Sequence, residues 1–149
     1  VALEILQARL RLGENDLEST LRKHLESQGD MDLESIRIRP EGVVARGKYE
    51  MGWMKVGVEL IFLPKAEAGK LRFDLNGLRL VQGVGLPGML RGLIMDLVTE
   101  LLKEMPGVVV DNETIWVDPV AAALTWGFDV RMNLTGVVAE SGFLELIAG

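Results

Sequence analysis

The longest runs of regularly spaced apolar residues in this sequence meet near Gly83, where their spacing changes. From Ile36 to Val81 they recur at every second position, the period of a strand with one face turned to a core. From Met89 to Met105 they recur at i, i+3, i+4 and i+7, the period of a helix with a wide apolar face. Both patterns in that order predict an α+β fold, an antiparallel sheet built around one long amphipathic helix. The 149 residues suffice for a domain with its own core, and a single domain over 1–149 is expected.

Within the period-two stretch, Pro, Gly and charged residues mark the turns. Ile36 and Ile38 face away from Arg37 and Arg39, Pro40-Glu41-Gly42 turns the chain, and Val43 to Tyr49 returns it. Met54, Val56, Val58, Leu60 and Phe62 share one face of the next strand, and Pro64 to Lys70 reads as the following turn. Leu71, Phe73 and Leu75 then alternate with Arg72, Asp74 and Asn76, after which the apolar phase slips by one to Leu78 and Leu80. A bulge at Asn76-Gly77 accounts for the slip.

Upstream, Leu6, Ala8, Leu10 and Leu12 predict a strand over 6–12 that Gly13 breaks. Asn15 with Glu18 has the form of a capping box, so a helix is expected to about Ser27 with Leu17, Leu21 and Leu25 inward. The long helix opens at Pro87 and stops at Pro106-Gly107, with Met89, Leu90, Leu93, Ile94, Leu97, Val98, Leu101, Leu102 and Met105 on its apolar face. Short strands follow near Val108 to Val110 and at Thr114 to Val117. A short helix capped by Asp118, with Pro119 at its first position, closes at Gly127. Two last strands are expected, one carrying Phe128, Val130, Met132 and Leu134 on one face, the other over Phe143 to Ile147, with Gly136 to Gly142 between them. The fold thus has two helices shorter than the central one.

Residues that could carry catalysis are few. With no Cys, disulfides and thiolate metal sites are excluded. The only histidine, His24, stands beside Lys23 with no nucleophile held in a triad-like pattern, and reads as a solvent-facing or half-buried side chain. Asp111, Glu113 and Asp118 do not have the spacing of a calcium loop, and a turn plus a helix cap explains them. Gly83-Val84-Gly85-Leu86-Pro87-Gly88 shares only its glycines with phosphate-binding loops, and Pro87 removes one helix-end donor. Neither an enzyme, a metal nor a cofactor is expected.

The net charge of -6 opposes attraction to phosphate backbones, and no stretch collects basic residues with aromatics, so nucleic acid is not an expected partner. No apolar run approaches the roughly 20 residues of a spanning helix, which leaves peripheral contact as the expected form of any encounter with a membrane. Neither a basic n-region nor an apolar h-region follows Val1, so an export signal is expected to have been removed or never to have been present.

Aromatic residues make up only 5% of the chain, whereas there are 7 Met, of which Met54, Met89, Met105 and Met132 lie near segments expected to line the interior. Methionine tolerates a variable neighbour, which suits a pocket for acyl chains. An ordinary core accounts for the same stripes. Trp53, Trp116 and Trp126 fit either a pocket rim or a packed contact. Arg37, Arg39, Arg46 and Lys48 fit either an anionic head group or a solvated sheet face.

The order of elements also carries a resemblance. A strand, a helix, a long meander, an apolar helix between Pro87 and Pro106-Gly107, then Thr114-Ile115-Trp116-Val117-Asp118-Pro119, a short helix to Gly127 and a strand pair around Asn133-Leu134-Thr135-Gly136-Val137-Val138 follow one another. In this order the chain resembles the bacterial single-unit members of the tubular lipid-binding superfamily, the group containing the LmeA-like and YceB-like envelope proteins. The resemblance implies a curved antiparallel sheet wrapped around the long helix, an apolar groove for lipid tails, an extracytoplasmic or cell-envelope location, and in some members end-to-end pairing. Carried over by position, the groove would be lined by Met89, Leu90, Leu93, Ile94, Leu97, Val98 and Leu101 of the helix and by Val56, Val58, Leu60, Phe62, Val130 and Met132 of the sheet.

Two functions are therefore expected in competition. The first is non-enzymatic binding or transfer of lipid, or of another apolar small molecule, between helix and sheet. The second is a structural or protein-interaction domain, homodimeric in one form, whose core is filled by its own side chains and which binds through an edge strand.

Overall fold

The computed structural model describes residues 2–25, 31–51, 54–82, 87–125 and 127–149; the side chains of residues 51, 54 and 81–90 lie outside that description. The loop Gly83 to Leu86, Trp53 and Trp126 therefore fall outside the described residues, as do the side chains of Met54, Met89 and Leu90. In chain order the elements are β1 (Leu3–Ile5), β2 (Ala8–Gly13), α1 (Glu14–Leu25), β3 (Met31–Arg39), β4 (Gly42–Met51), β5 (Met54–Glu67), β6 (Lys70–Gln82), α2 (Pro87–Leu102), β7 (Val108–Asp111), β8 (Thr114–Val117), α3 (Pro119–Thr125), β9 (Val130–Met132), β10 (Leu134–Glu140) and β11 (Phe143–Ala148). The fold is α+β, with mainly antiparallel sheets.

The period-two stretch forms the body of the molecule. β3 to β6 pair as an antiparallel meander that β8 and β7 extend, in the order β3-β4-β5-β6-β8-β7. Register places Ile38, Val43, Phe62 and Leu75 side by side, with Ile36, Ala45, Leu60 and Leu78 in the next row, so one face is continuously apolar. Between Ile61 and Phe62 the β6 partner jumps from Gly77 to Leu75, which leaves Asn76 as the extra residue of a bulge and brings Leu78 and Leu80 onto the face of Leu75.

Two boundaries in and next to the meander differ from the expectation. The turn placed at Pro64 to Lys70 is confined to Ala68-Gly69, because β5 continues through Pro64 to Glu67. Pro64 is tolerated there because it lies beyond the last β4 pair, Val43 with Phe62, where no neighbour asks for its missing N–H. α2 ends at Leu102 rather than Met105. Pro106 disfavours a helical Met105, and the chain tightens into successive turns, Met105 N–H to Leu102 O and Val108 N–H to Met105 O.

A second sheet, in the order β10-β11-β2, is built from the C-terminal residues and the early strand. Leu12, Leu144 and Ala139 are register partners, as are Leu10, Leu146 and Val137. The segment Gly136 to Gly142 is thus mostly strand, and the turn is its Ser141-Gly142 end, with Gly142 at φ 92°. The core joins this sheet, through Leu144, to the apolar face of the larger sheet and to Ile94, Met95 and Val98 of α2. Arg91 fixes the helix laterally by a forked contact to Glu113 of the β7–β8 turn, Nε to Oε1 at 2.8 Å and to Oε2 at 2.9 Å.

The strand expected over 6–12 is present as β2, which begins at Ala8 and runs on through Gly13. A further strand precedes it: β1 pairs in parallel with β9, Leu3 with Val130 and Ile5 with Met132, and the chain changes sheets at Leu6-Gln7 before β2. The capping box is also replaced: Asn15 lies inside α1, and Glu18 accepts the N–H of Ile36 at 2.8 Å instead of a helix-end amide.

Candidate functional site

α2 presents two flanks that differ in what covers them. Ile94, Met95, Val98 and Leu101 are buried, whereas Leu97 is half-buried and Leu93 is 48% exposed. At 100° per residue these two lie beside Ile94 and Leu101 rather than opposite them, so the apolar stripe runs past the edge of the core. Met95, which had no place in the expected face, is buried because the helix turns its side toward the strands more than the leucine spacing suggests. Its signal was available in the sequence, since Met95 continues the row of Arg91, Val98 and Leu102.

The residues carried over by resemblance fall in two places. Val56, Val58, Leu60 and Phe62 of β5 are buried in one cluster with Ile94 and Val98, and Leu101 is buried on the same helix. Leu93 and Leu97 lie on the same helix outside that cluster and are not among the half-buried residues packed against it. Val130 and Met132 do not join it; they are half-buried in β9, on the small parallel sheet. Met89 and Leu90 lie on the first turn of α2, with side chains outside the description.

That parallel sheet and α3 form an apolar corner. α3 carries Val120, Leu124 and three alanines yet has no buried residue. Around it Leu3 is 59% exposed, Leu6 76%, Leu124 61% and Phe128 58%. The corner is tied to the rest through Gly107, whose φ of 77° and whose nearest neighbours, Asp118 O at 2.7 Å and Ala122 N at 2.9 Å from the place of a Cβ, leave room for glycine only. Asp118 Oδ1 accepts the amides of Val120 at 3.0 Å and Ala121 at 3.3 Å, the helix cap expected of it.

The outer face of the large sheet is charged and largely self-paired. Glu59, 6% exposed, is flanked on the neighbouring strands by Arg46 at 2.7 Å and Arg79 at 3.2 Å. Burial pushes its carboxyl up, but the Arg46 hydrogen bond and the charges of Arg79 and Arg46 outweigh this and leave it below the usual range. Asp74 behaves alike, raised by burial and lowered further by Arg72 and Thr114. Arg37 meets Glu18 of α1 and Lys48 meets Glu34 of β3, so these cations are already paired within the chain. Beyond β6 a shallow depression of about 570 Å³ is lined by Lys70, Val109, Asp111, Trp116 and Asp118 among others, with Arg72 stacked 5.2 Å from the Trp116 ring.

His24 is half-buried, its Nε2 2.6 Å from the Leu101 carbonyl, which accepts from it at the end of α2. Among the described residues no group of three or more His, Cys, Asp or Glu could hold a metal ion, and no helix is long and apolar enough to cross a membrane. Comparison with protein-family models, with curated proteins and with solved structures gives no match.

Proposed function

We propose that the protein is a non-enzymatic domain that binds lipid or another apolar small molecule, with an acyl chain lying along the Leu93–Leu97 flank of α2. In this reading the large sheet curves around α2, as the resemblance to the tubular lipid-binding superfamily implies, and Val56, Val58, Leu60 and Phe62 form the wall behind the helix. The observation that supports it is an apolar helix stripe that its own core does not use up: Leu93 remains 48% exposed beside buried Ile94. Each methylene sheltered there contributes about 0.8 kcal/mol, so a few suffice for binding without any ionised group. An extracytoplasmic place of work follows if the resemblance extends to location.

Native mass spectrometry of the purified chain tests this directly. Lipid-mass adducts that leave on unfolding, and that Leu93→Asp removes while the fold persists, are the expected result. A bare chain that takes up no lipid offered in detergent or vesicles would end the proposal.

A second reading, a protein-interaction domain, is favoured by a different observation. Ile94, Val56 and Val58 at 1% exposure and Leu144 at 0% are a closed core, while Leu3, Leu6, Leu124 and Phe128 stand open on the corner. It predicts that the corner, not the α2 flank, governs association.

A further inference from the structure

We propose that α1 is a strap that keeps the β3 edge of the large sheet from pairing with β3 of a second copy of the chain. β3 is the first strand in the sheet order and, among the described residues, has a strand neighbour on one side only, β4. Such an edge presents a row of N–H and C=O groups that another strand can take up. Here side chains of α1 occupy most of that row, and the Gly142 N–H donates to the Ile38 carbonyl at 2.8 Å. Glu14 accepts the N–H of Ile38 at 2.8 Å, Glu18 accepts the N–H of Ile36 at 2.8 Å, and Arg22 donates to the carbonyls of Glu34 at 2.9 Å and Leu33 at 3.1 Å.

The match has a geometric cause. Four helical residues rise about 6.0 Å and two strand residues about 6.6 Å, so side chains at i, i+4 and i+8 of a helix lying antiparallel to a strand meet every second backbone group. Glu14, Glu18 and Arg22 have that spacing, with acceptors where the edge offers N–H and a donor where it offers C=O. The apolar hold on α1 is light: of its 12 residues only Leu25 is buried, with Leu17 and Leu21 half-buried. The polar row, together with the Glu14 N–H to Gly142 O bond at 2.9 Å and the His24 Nε2 to Leu101 O bond at 2.6 Å, therefore contributes much of what keeps the helix in place.

The chemistry of β3 identifies the occupant. On its outer face Asp32 and Glu34 stand at one end and Arg37 and Arg39 at the other, all exposed, while Leu33, Ile36 and Ile38 point inward. Two such strands placed antiparallel about a two-fold axis set the acidic end of each against the basic end of the other, and apolar residues against apolar ones. Arg37, now 3.3 Å from Glu18, exchanges that carboxylate for one of the second copy.

The test is Glu14→Ala/Glu18→Ala, followed by light scattering and by hydrogen exchange at the Ile36 and Ile38 amides. The expected result is a mass twice that of the parent chain. In that background Arg37→Glu/Arg39→Glu alone and Asp32→Lys/Glu34→Lys alone return to the parent mass, and a mixture of the two restores the doubled species. A strapless chain that keeps the parent mass, or one that doubles regardless of the charge substitutions, overturns the proposal. Should the double variant not fold, Glu18→Ala carries the same charge substitutions and the same readout.

Discussion

The body of the molecule and its β1–β9–α3 corner are made of similar residues and treat them in opposite ways. In the body, strands of up to 14 residues and a 16-residue helix give the inward apolar side chains neighbours on several elements, and Ile38, Val56, Val58, Ile94 and Leu144 are almost wholly covered. In the corner, strands of 3 residues and a helix of 7 residues are too short to cover one another, and Leu3, Leu6, Leu124 and Phe128 stay exposed. Apolar content does not distinguish the two. The length of the element that carries it does, because burial needs a second layer at every position along the element.

The largest effect should come from the body. Leu144→Ala is expected to lower unfolding free energy by about 2–5 kcal/mol in a denaturant titration, since a fully covered side chain leaves a cavity. A loss under about 1 kcal/mol would make β11 no better packed than the corner. Gly107→Ala, at the junction of the two regions, should cost about 1–3 kcal/mol through its left-handed backbone and its approach to Asp118. If instead it leaves the melting temperature unchanged, the corner is not anchored where the structure places it.

Glu59→Ala should cost about 1–2 kcal/mol, kept small because Arg46 and Arg79 remain half or more in water. Glu18 and Glu59 both have carboxyls held below the ordinary 4.5, Glu18 mainly by the Ile36 amide and Glu59 by its arginines against the effect of burial. The sign follows from linkage: their contribution is complete above that ordinary value and is lost as pH falls through the lower folded values. Melting temperature against pH should be level near neutrality and decline below pH 4.5, less steeply in Glu59→Ala. The smallest effect belongs to the corner, where Phe128→Ser should stay within about 0.5 kcal/mol while reducing binding of an apolar dye. A destabilisation as large as that of Leu144→Ala would erase the distinction between the regions.

Much of the body was readable from spacing alone. The period-two rows from Ile36 to Leu80, the slip at Asn76 and the buried row Ile94, Val98 and Leu101 all follow from local rules applied to a long pattern, as does the Asp118 cap in the corner. What spacing does not carry is the identity of distant partners. The pairing of β1 with β9 and of β2 with β11 depends on residues more than a hundred positions apart, and so the break at Leu6-Gln7 left no local mark. Glu18 misled for the same reason: three residues after Asn15 it has the form of a cap, but a strand edge from a later segment offered its carboxylate an N–H. For the candidate site, the leucines of α2 were legible as apolar, and the separation of Val130 and Met132 from them was not, since it is a property of sheet membership.

The bulge in β6 has a consequence for insertions and deletions. Asn76, like Val81 at a second shift nearer the end of the strand, has no partner on β5, and the positions on either side of it, Leu75 and Gly77, already face their partners in an unbroken in-and-out order. Removing Asn76 would straighten the strand yet leave Leu78 and Leu80 inside and Arg79 outside. Removing any fully paired neighbour, Phe73 for instance, would turn every later side chain to the wrong face. A gene encoding this chain can therefore lose one codon at Asn76, or at the second unpaired residue Val81, at little cost and hardly anywhere else in the strand, which makes these two bulges the natural points at which length variation in this sheet would accumulate.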